Sequence, residues 1–164
     1  MNVLRAVNFE EYGALEEMCR RLWHETYDNL IGKAQTDYML EKFQSVRAFA
    51  RQIREENYAY FFLEKDGVRA GYCALRYEKE RLFLSKLYLE KPFRGTGLCG
   101  EALGEIFAAA RFLGYREVYL TVNKENARAV HAYEKYGMKR EKSIKTDIGG
   151  GFFMDDYVYV AAAE

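Results

Sequence analysis

The stretch Arg94-Gly95-Thr96-Gly97-Leu98-Cys99-Gly100 separates a strand pattern from a helix pattern. The run Leu82-Phe83-Leu84-Ser85-Lys86-Leu87-Tyr88-Leu89 before it has the apolar content of a strand, and apolar residues recur at helical spacing from Leu98 to Leu113. Closely spaced glycines leave backbone N–H groups bare where a helix begins, and the helix dipole favours an anion there. The segment therefore predicts a strand, a phosphate-binding turn and a helix.

The glycines alone are compatible with three structures. Their spacing matches the G-x-G-x-x-G of a dinucleotide-binding unit, but residues 90–94 intervene after the strand, and Asn123 stands where an acidic residue should end the next strand. The P-loop of nucleoside triphosphatases is excluded because no Gly-Lys-Ser/Thr sequence is present. A plain tight turn before a packed helix is the third interpretation, although one turn does not need three glycines and an arginine.

Composition predicts one globular domain over residues 1–164. The 25 basic and 25 acidic residues cancel, which argues against nucleic acid or an acidic membrane surface as a partner. No apolar run approaches the roughly 20 residues of a membrane helix. The three cysteines (Cys19, Cys73 and Cys99) have neither disulfide nor zinc spacing, so we expect reduced thiols, a cytoplasmic location and no metal.

The order of patterns predicts a mixed α/β fold. A short strand at residues 3–7 precedes two helices, one carrying Tyr12, Leu15 and Leu22 and one spanning residues 38–53, joined by an aromatic connector at residues 23–33. Three strands follow, the first two joined at Asp66-Gly67, which is a strong hairpin signal. A helix, a strand, a helix capped by Asn126, and two final strands complete the chain. Such a meander followed by βα units implies one mixed sheet with helices on both faces.

Two separated motifs resemble the GNAT superfamily of acetyl-CoA-dependent N-acetyltransferases. The first is Phe93-Arg94-Gly95-Thr96-Gly97-Leu98, and the second is Asn126-Ala127-Arg128-Ala129 followed by Ala132-Tyr133-Glu134-Lys135-Tyr136-Gly137-Met138. The resemblance lies between Leu87 and Met138 and implies a single domain of six to seven strands. It departs from the family pattern in one place, because the small Cys99 stands where that pattern has glycine or alanine.

The resemblance implies a role for each motif. Acetyl-CoA would bind as co-substrate, with its pyrophosphate on the backbone of Arg94, Gly95, Thr96, Gly97, Leu98, Cys99 and Gly100. The main chain of Leu87, Tyr88 and Leu89 would bind the pantetheine arm and polarise the acetyl carbonyl. Asn126 would contact the cofactor arm in addition to capping its helix, and Tyr133 would donate a proton to the CoA thiolate.

The residue that deprotonates the amine is left open by the sequence. Ser85 stands where many relatives carry a glutamate base, so ordered water, a carboxylate such as Glu25 or Asp155, or entry of a neutral amine must substitute. His24 in the connector is a candidate substrate contact. Asp155-Asp156 would ordinarily lie on a solvated strand edge but could bind a cationic amine if it lies near the acceptor.

The acceptor itself has three candidate classes. The segments Trp23-His24-Glu25-Thr26-Tyr27 and Tyr38-Met39-Leu40-Glu41 loosely resemble those of polyamine N-acetyltransferases, and aromatic and acidic side chains suit a small cationic amine. A protein N-terminal or lysine amine and a small antibiotic-like amine are the other two classes. A non-catalytic acyl-CoA sensor, which would have no acceptor, is the alternative to an enzyme. The last strand, with Tyr157 and Tyr159, is predicted to have a free edge that could form a homodimer contact.

Overall fold

Seven apolar runs become strands of one sheet in the computed structural model, which describes residues 2–164. In chain order these strands are β1 (Leu4–Ala6), β2 (Tyr58–Lys65), β3 (Val68–Tyr77), β4 (Arg81–Leu89), β5 (Glu117–Asn123), β6 (Lys139–Gly149) and β7 (Phe152–Ala162). Across the sheet their order is β1-β2-β3-β4-β5-β7-β6, and β4 and β5 are the parallel pair. The mixed sheet with its meander is thus confirmed, at the upper end of the predicted number of strands.

Helices cover both faces of this sheet. They are α1 (Tyr12–Ile31), α2 (Lys33–Phe43), α3 (Val46–Glu55), α4 (Leu98–Phe112) and α5 (Ala127–Tyr136), with 3₁₀ turns at Phe9–Glu11 and Lys91–Phe93. Residues of α1, α2 and α3 form one core with the aromatic face of β2 and β3, whereas α4 and α5 form a second core on the opposite face. The sheet therefore separates two apolar layers, as the fold class predicted.

The N-terminal helices differ from the prediction in two places. The expected connector at residues 23–33 is helical as far as Ile31, because Trp23 and Tyr27 are 2% and 7% exposed and continue the buried stripe of α1. The expected second helix is two helices. It is interrupted at Ser45, whose hydroxyl accepts a hydrogen bond from the N–H of Ala48 (3.2 Å) and caps α3.

The hairpin between β2 and β3 is confirmed at Asp66-Gly67. Both residues have positive φ angles, 52° and 77°, as a tight two-residue turn matching the strand twist requires. The predicted free edge of the last strand is wrong, because β7 pairs with β5 on one side and with β6 on the other, and Tyr159 is fully buried. The strand at that edge of the sheet is β6, so a dimer contact through β7 has no free backbone to use.

One break in the sheet creates the space for a site. β4 and β5 are paired only from Arg81 to Leu84 and from Glu117 to Leu120, after which the two strands separate. On its other side β4 stays paired with β3, and the register shifts so that Ser85 is the extra residue of a bulge. The carboxyl-terminal half of β4 therefore presents backbone groups to an opening instead of to a neighbouring strand.

Cys19 and Cys73 are buried, Cys99 is half-buried, and all three are free thiols. Within residues 2–164, no helix combines the length and the apolar character needed to cross a membrane.

Candidate active site

A cleft of about 180 Å³ lies where β4 and β5 separate, between the ends of α1, α4 and α5. We call it the donor cleft. Its lining contains eight of the twelve residues predicted from the sequence: Leu87, Tyr88, Leu89, Arg94, Gly95, Cys99, Asn126 and Tyr133. The fold thus brings the two separated motifs to one opening.

The other four predicted residues support the turn beside the cleft. Thr96 donates its hydroxyl proton to the carbonyl of Phe93 (2.6 Å), and Leu98 is buried in the core below α4. Gly97 is the residue before α4 and has a φ of +87°, a backbone conformation that glycine adopts without strain. Gly100 is an exposed residue of the first helical turn.

The turn before α4 has unused backbone donors. Within the described chain, the first N–H of this helix that reaches a backbone acceptor is that of Glu101, which donates to the carbonyl of Gly97 (3.1 Å). The preceding N–H groups are left for a ligand, and the helix dipole adds positive potential at the same place. Arg94 and Arg128 add guanidinium groups to the wall of the cleft. An anionic group such as a pyrophosphate fits this end of the cleft.

The middle of the cleft contains backbone groups that have no partner strand and, among the described residues, one buried hydroxyl without a hydrogen-bond partner. From Ser85 to Leu89, the β4 groups that face away from β3 have lost β5 as a partner. The hydroxyl oxygen of Thr26 is buried, lines the same space, and has no hydrogen-bond partner among the described residues. An extended ligand with amide groups, such as a pantetheine arm, would satisfy these atoms.

Tyr133 and Asn126 lie on α5 at the inner wall of the cleft. The Asn126 side chain accepts a hydrogen bond from the N–H of Ala129 (3.4 Å), which confirms its role as a helix cap. Burial raises the pKa of Tyr133 above its usual value, so the phenol is protonated at neutral pH. Burial also raises the pKa of the Cys99 thiol, which is therefore not an activated nucleophile.

A smaller chamber of about 50 Å³ adjoins the cleft on the face of the sheet covered by α1 and α2. We call it the inner chamber. The two spaces share five lining residues, namely Tyr27, Ser85, Lys86, Tyr88 and Thr121. Its remaining walls are mainly apolar or aromatic and are contributed by α1, α2, β5 and β7. A ligand in the donor cleft and one in the chamber would meet at the bulge of β4.

Two charged groups line the inner chamber, one on the buried Asp156 and one on the half-buried Lys86. Asp156 is 4% exposed, and burial raises its pKa to about 6, against the opposing effect of Lys86. Burial lowers the pKa of Lys86 to about 8. The Lys86 ammonium donates to the hydroxyl of Ser85 (2.8 Å) and does not form an ion pair within 4.0 Å in the part of the chain that the structure describes. Among the described residues, neither charge therefore has a partner of opposite charge within 4.0 Å.

The carboxylates expected as bases lie elsewhere. Glu25 is paired with Arg94 at 2.5 Å, and Asp155 with Lys124 at 2.9 Å, and neither lines the cleft or the chamber. Successive residues of a strand point to opposite faces of the sheet, so Asp155 faces solvent whereas Asp156 faces the chamber. The expectation of a solvated edge is therefore wrong for Asp156.

His24 does not reach either space. Its ring contacts the carboxylates of Asp28 (2.8 Å) and Asp37 (3.0 Å), and thereby joins α1 to α2. Lys86, by contrast, was missed as a site residue. The available signal was a single charge inside the apolar strand run, since an unpaired lysine between Leu84 and Leu87 is unusual in a buried strand. Residues 2–164 contain no group of three or more His, Cys, Asp or Glu side chains that could hold a metal ion.

Gln35 of the chamber wall belongs to a set of contacts between α2 and the β6–β7 hairpin. Gln35 donates to the carbonyl of Phe153 (2.6 Å), and the hydroxyl of Tyr38 donates to the carbonyl of Ile148 (2.7 Å). Gly149 lies so close to Tyr38 that an added Cβ would be 2.6 Å from the phenolic oxygen. We call this set of contacts the roof of the chamber.

Known proteins share both the sequence motifs and the fold described above. An uncharacterized N-acetyltransferase of Mycobacterium bovis is 34% identical over 113 residues, which cover 68% of this chain and 72% of that protein. A Bacillus subtilis protein named as a putative ribosomal protein bS18 alanine N-acetyltransferase is 27% identical over 106 residues, covering 62% of this chain and 70% of its own length.

The fold has close counterparts among solved structures. The crystal structure of the PaiA N-acetyltransferase from Thermoplasma acidophilum in complex with coenzyme A superimposes with a TM-score of 0.80 at 20% identity, covering 97% of both chains. The model of the acetyltransferase (GNAT) family matches residues 15–138, which include the separated strands, the glycine turn and α5. A chain with this fold, these motifs in this order and a 34% identical relative belongs to the GNAT family of acetyltransferases.

Proposed function

We propose that the chain transfers the acetyl group of acetyl-CoA directly to the primary amine of a small cationic acceptor bound in the inner chamber. Acetyl-CoA-dependent N-acetyl transfer is the activity of its family. The observation that carries the choice of acceptor is the chamber itself, which meets the donor cleft at the bulge of β4 and contains the buried carboxylate of Asp156.

On the donor side, the residues predicted from the sequence have distinct roles in this proposal. The bare N–H groups before α4, with Arg94, bind the pyrophosphate, and the free backbone of Leu87, Tyr88 and Leu89 binds the pantetheine arm. A β4 N–H directed at the acetyl carbonyl stabilises the oxyanion that forms when the amine attacks. Asn126 keeps α5 in place beside the arm.

The acceptor must lose a proton before or during attack. A free alkylammonium group has a pKa of about 10.4, as lysine has. Lys86 is itself an alkylammonium group in this chamber, and burial lowers its pKa to about 8. A bound amine experiences the same desolvation, so its neutral form becomes accessible near physiological pH. Asp156 is ionised at neutral pH and accepts the proton that the attacking nitrogen releases.

The leaving group requires stabilisation at the opposite end. The neutral phenol of Tyr133 donates a hydrogen bond to the sulfur as the C–S bond breaks. A thiol with a pKa near 8.5 is more acidic than this phenol, so Tyr133 stabilises the thiolate, and the proton that completes CoA-SH ultimately derives from the amine. One C–N bond forms and one C–S bond breaks, without any redox change.

The roof favours a small acceptor over a protein. Gln35 and Tyr38 connect α2 to the β6–β7 hairpin, and the space beneath them is about 50 Å³. The rings of Trp23, Tyr27 and Tyr88 pack against one another in the chamber wall, and such a wall suits an alkylammonium group with an apolar stem. A polyamine has this chemistry. The name of the Bacillus subtilis relative favours a protein N-terminus as the second candidate.

Steady-state release of CoA with a panel of acceptors tests the proposal. The panel contains spermidine, a short diamine, a peptide with an N-terminal alanine and a peptide with an internal lysine. We expect saturable turnover with the small amines and none with the peptides. Turnover with the alanine peptide alone would identify a protein N-terminus as the acceptor. CoA binding without turnover on the whole panel would indicate a sensor instead of an enzyme.

A further inference from the structure

We propose that Lys86 is a self-acetylation site: when no acceptor occupies the inner chamber, its Nζ takes the acetyl group from acetyl-CoA bound in the donor cleft of the same molecule. This inference rests on the proposed function, because it requires acetyl-CoA to place its thioester at the junction of the two spaces. It gives a reaction to the Lys86 amine, which does not act as a nucleophile when the acetyl group is transferred to an external amine.

The position of Lys86 supports the proposal. It is one of the five residues that line both spaces, and its Nζ lies 5.9 Å from the centre of the Trp23 ring, which is part of the chamber wall. The bulge at Ser85 redirects the strand here, and the Lys86 Nζ donates to the Ser85 hydroxyl (2.8 Å) and carbonyl (3.2 Å). These contacts keep the amine at the bulge instead of letting it extend into solvent.

The environment of Lys86 differs from that of other lysines. Lys33, Lys65 and Lys124 each pair with a carboxylate within 4.0 Å. Lys86 has no such partner within that distance among the described residues, and the carboxylate that shares the chamber with it is Asp156. Its lowered pKa adds a population of neutral amine at slightly alkaline pH.

The chemistry is the same as that of external transfer. The neutral Nζ attacks the thioester carbonyl carbon, a C–N bond forms, and the C–S bond breaks. The proton lost by the nitrogen passes to Asp156 and then to the CoA thiolate, so acetyl-lysine and CoA-SH are the products. The step needs no oxidant or additional reactant. Because the nucleophile and the thioester are held in one molecule, the reaction is unimolecular.

Acetylation would change the chamber. It removes the positive charge that opposes the rise in the pKa of Asp156, and it places an acetamide where the acceptor binds. Turnover of an external amine should therefore decline as Lys86 becomes modified, and a bound acceptor should protect it. The modification would make the enzyme sensitive to an excess of acetyl-CoA over acceptor.

The test follows individual lysines by peptide mass spectrometry after the full-length protein is incubated with acetyl-CoA and no amine. We expect one acetyl group to accumulate on Lys86, with a rate constant that does not depend on protein concentration and is about tenfold or more above that of the exposed Lys79. Excess CoA should protect Lys86 without protecting Lys79, which measures uncatalysed acetylation. The K86R variant should lose this acetylation while retaining a positive charge.

Three results would overturn the proposal: acetylation of Lys86 no faster than that of Lys79, a rate that rises with protein concentration, or no protection by CoA. The wild-type time course is sufficient for this decision if K86R does not fold. The amine panel on the same preparation decides the proposed function independently. An enzyme that turns over spermidine, but whose Lys86 stays unmodified in the incubation without amine, would refute self-acetylation alone.

Discussion

Lys86 and Asp156 occupy a chamber whose other walls are mainly apolar, and burial shifts each pKa towards neutrality. For Asp156 the folded pKa of about 6 exceeds its ordinary value of 3.8, so the folded state binds a proton more tightly than the unfolded state. Stability therefore declines as pH rises from about 4 to 6, by about 3 kcal/mol in total. A loss of folding stability caused by a buried charge is typical of functional sites.

The first residue-scale prediction concerns the base. D156N should lower kcat about a hundredfold, because the amide cannot accept the proton of the attacking amine. The wild-type rate should rise with pH through about 6 as Asp156 ionises, and the variant should lose that dependence. Its thermal stability at pH 7 should increase, since the cost of burying a charge is removed.

The matched control is D155N, because Asp155 is the exposed neighbour that pairs with Lys124. Steady-state kinetics measured across pH should give D155N a pH dependence of kcat similar to that of the wild type. An unchanged profile in D156N would remove Asp156 from the mechanism.

The second residue-scale prediction concerns the leaving group. Y133F should leave the affinity for CoA unchanged and reduce kcat about tenfold to a hundredfold, because the hydrogen bond to sulfur forms only as the C–S bond breaks. Y136F is the control on the same helix, since Tyr136 is 39% exposed and lies outside the cleft. Calorimetry measures the affinity for CoA, and a turnover assay measures kcat. Equal kcat values for Y133F and Y136F would exclude Tyr133 from the catalytic mechanism.

At the scale of elements, the N-terminus of α4 supplies most of the proposed anion site. Gly95 and Gly97 have φ angles of +73° and +87°, and no neighbouring atom within 4 Å limits a side chain at either position. The glycines are therefore required by backbone conformation and by the space a phosphate needs, and not by packing against the protein.

G97V should weaken CoA binding about tenfold or more, because a branched side chain strains a positive φ and enters the phosphate site. The control is G114V at the other end of α4, where φ is +84° and the surroundings are equally open. Isothermal titration calorimetry measures the affinity of G97V and of G114V for CoA. Similar affinities would mean that the turn does not hold the pyrophosphate.

At the scale of the whole molecule, the inner chamber exists because distant parts of the chain meet. Its floor is the sheet, where β4 and β5 separate, and its roof joins α2 to the hairpin of β6 and β7 more than a hundred residues later. This arrangement predicts that the selection of small acceptors depends on a contact far from the reacting atoms.

G149A should loosen the roof, because its Cβ would be 2.6 Å from the Tyr38 hydroxyl. We expect KM for a small amine to rise several-fold while the affinity for CoA is unchanged. G151A is the matched control, with a similar φ of +81° but no atom within 4 Å of its Cβ. If both variants raise KM equally, backbone strain explains the effect and the roof does not select the acceptor.

Local patterns predicted more of the donor side than of the acceptor side. The glycine turn, the Asn126 cap and Tyr133 are adjacent to motif residues and belong to single elements, so their placement follows from helix starts and helical spacing. The end of α1 was mistaken for a connector because polar residues such as His24 and Asp28 alternate with the aromatic stripe. Whether Trp23 is buried depends on Tyr72 and Tyr88 of the sheet.

The sequence by itself determined the order of strands and helices, the anion-binding turn and the resemblance to N-acetyltransferases, because each depends on residues near one another along the chain. Only the tertiary structure decided which carboxylate lines the inner chamber, that β7 lies inside the sheet, and that Lys86 lines both spaces. Burial and pKa depend on what packs against a residue from distant segments. Asp155 and Asp156 are neighbours in sequence, and the pleat of β7 and the separation of β4 from β5 give them different environments.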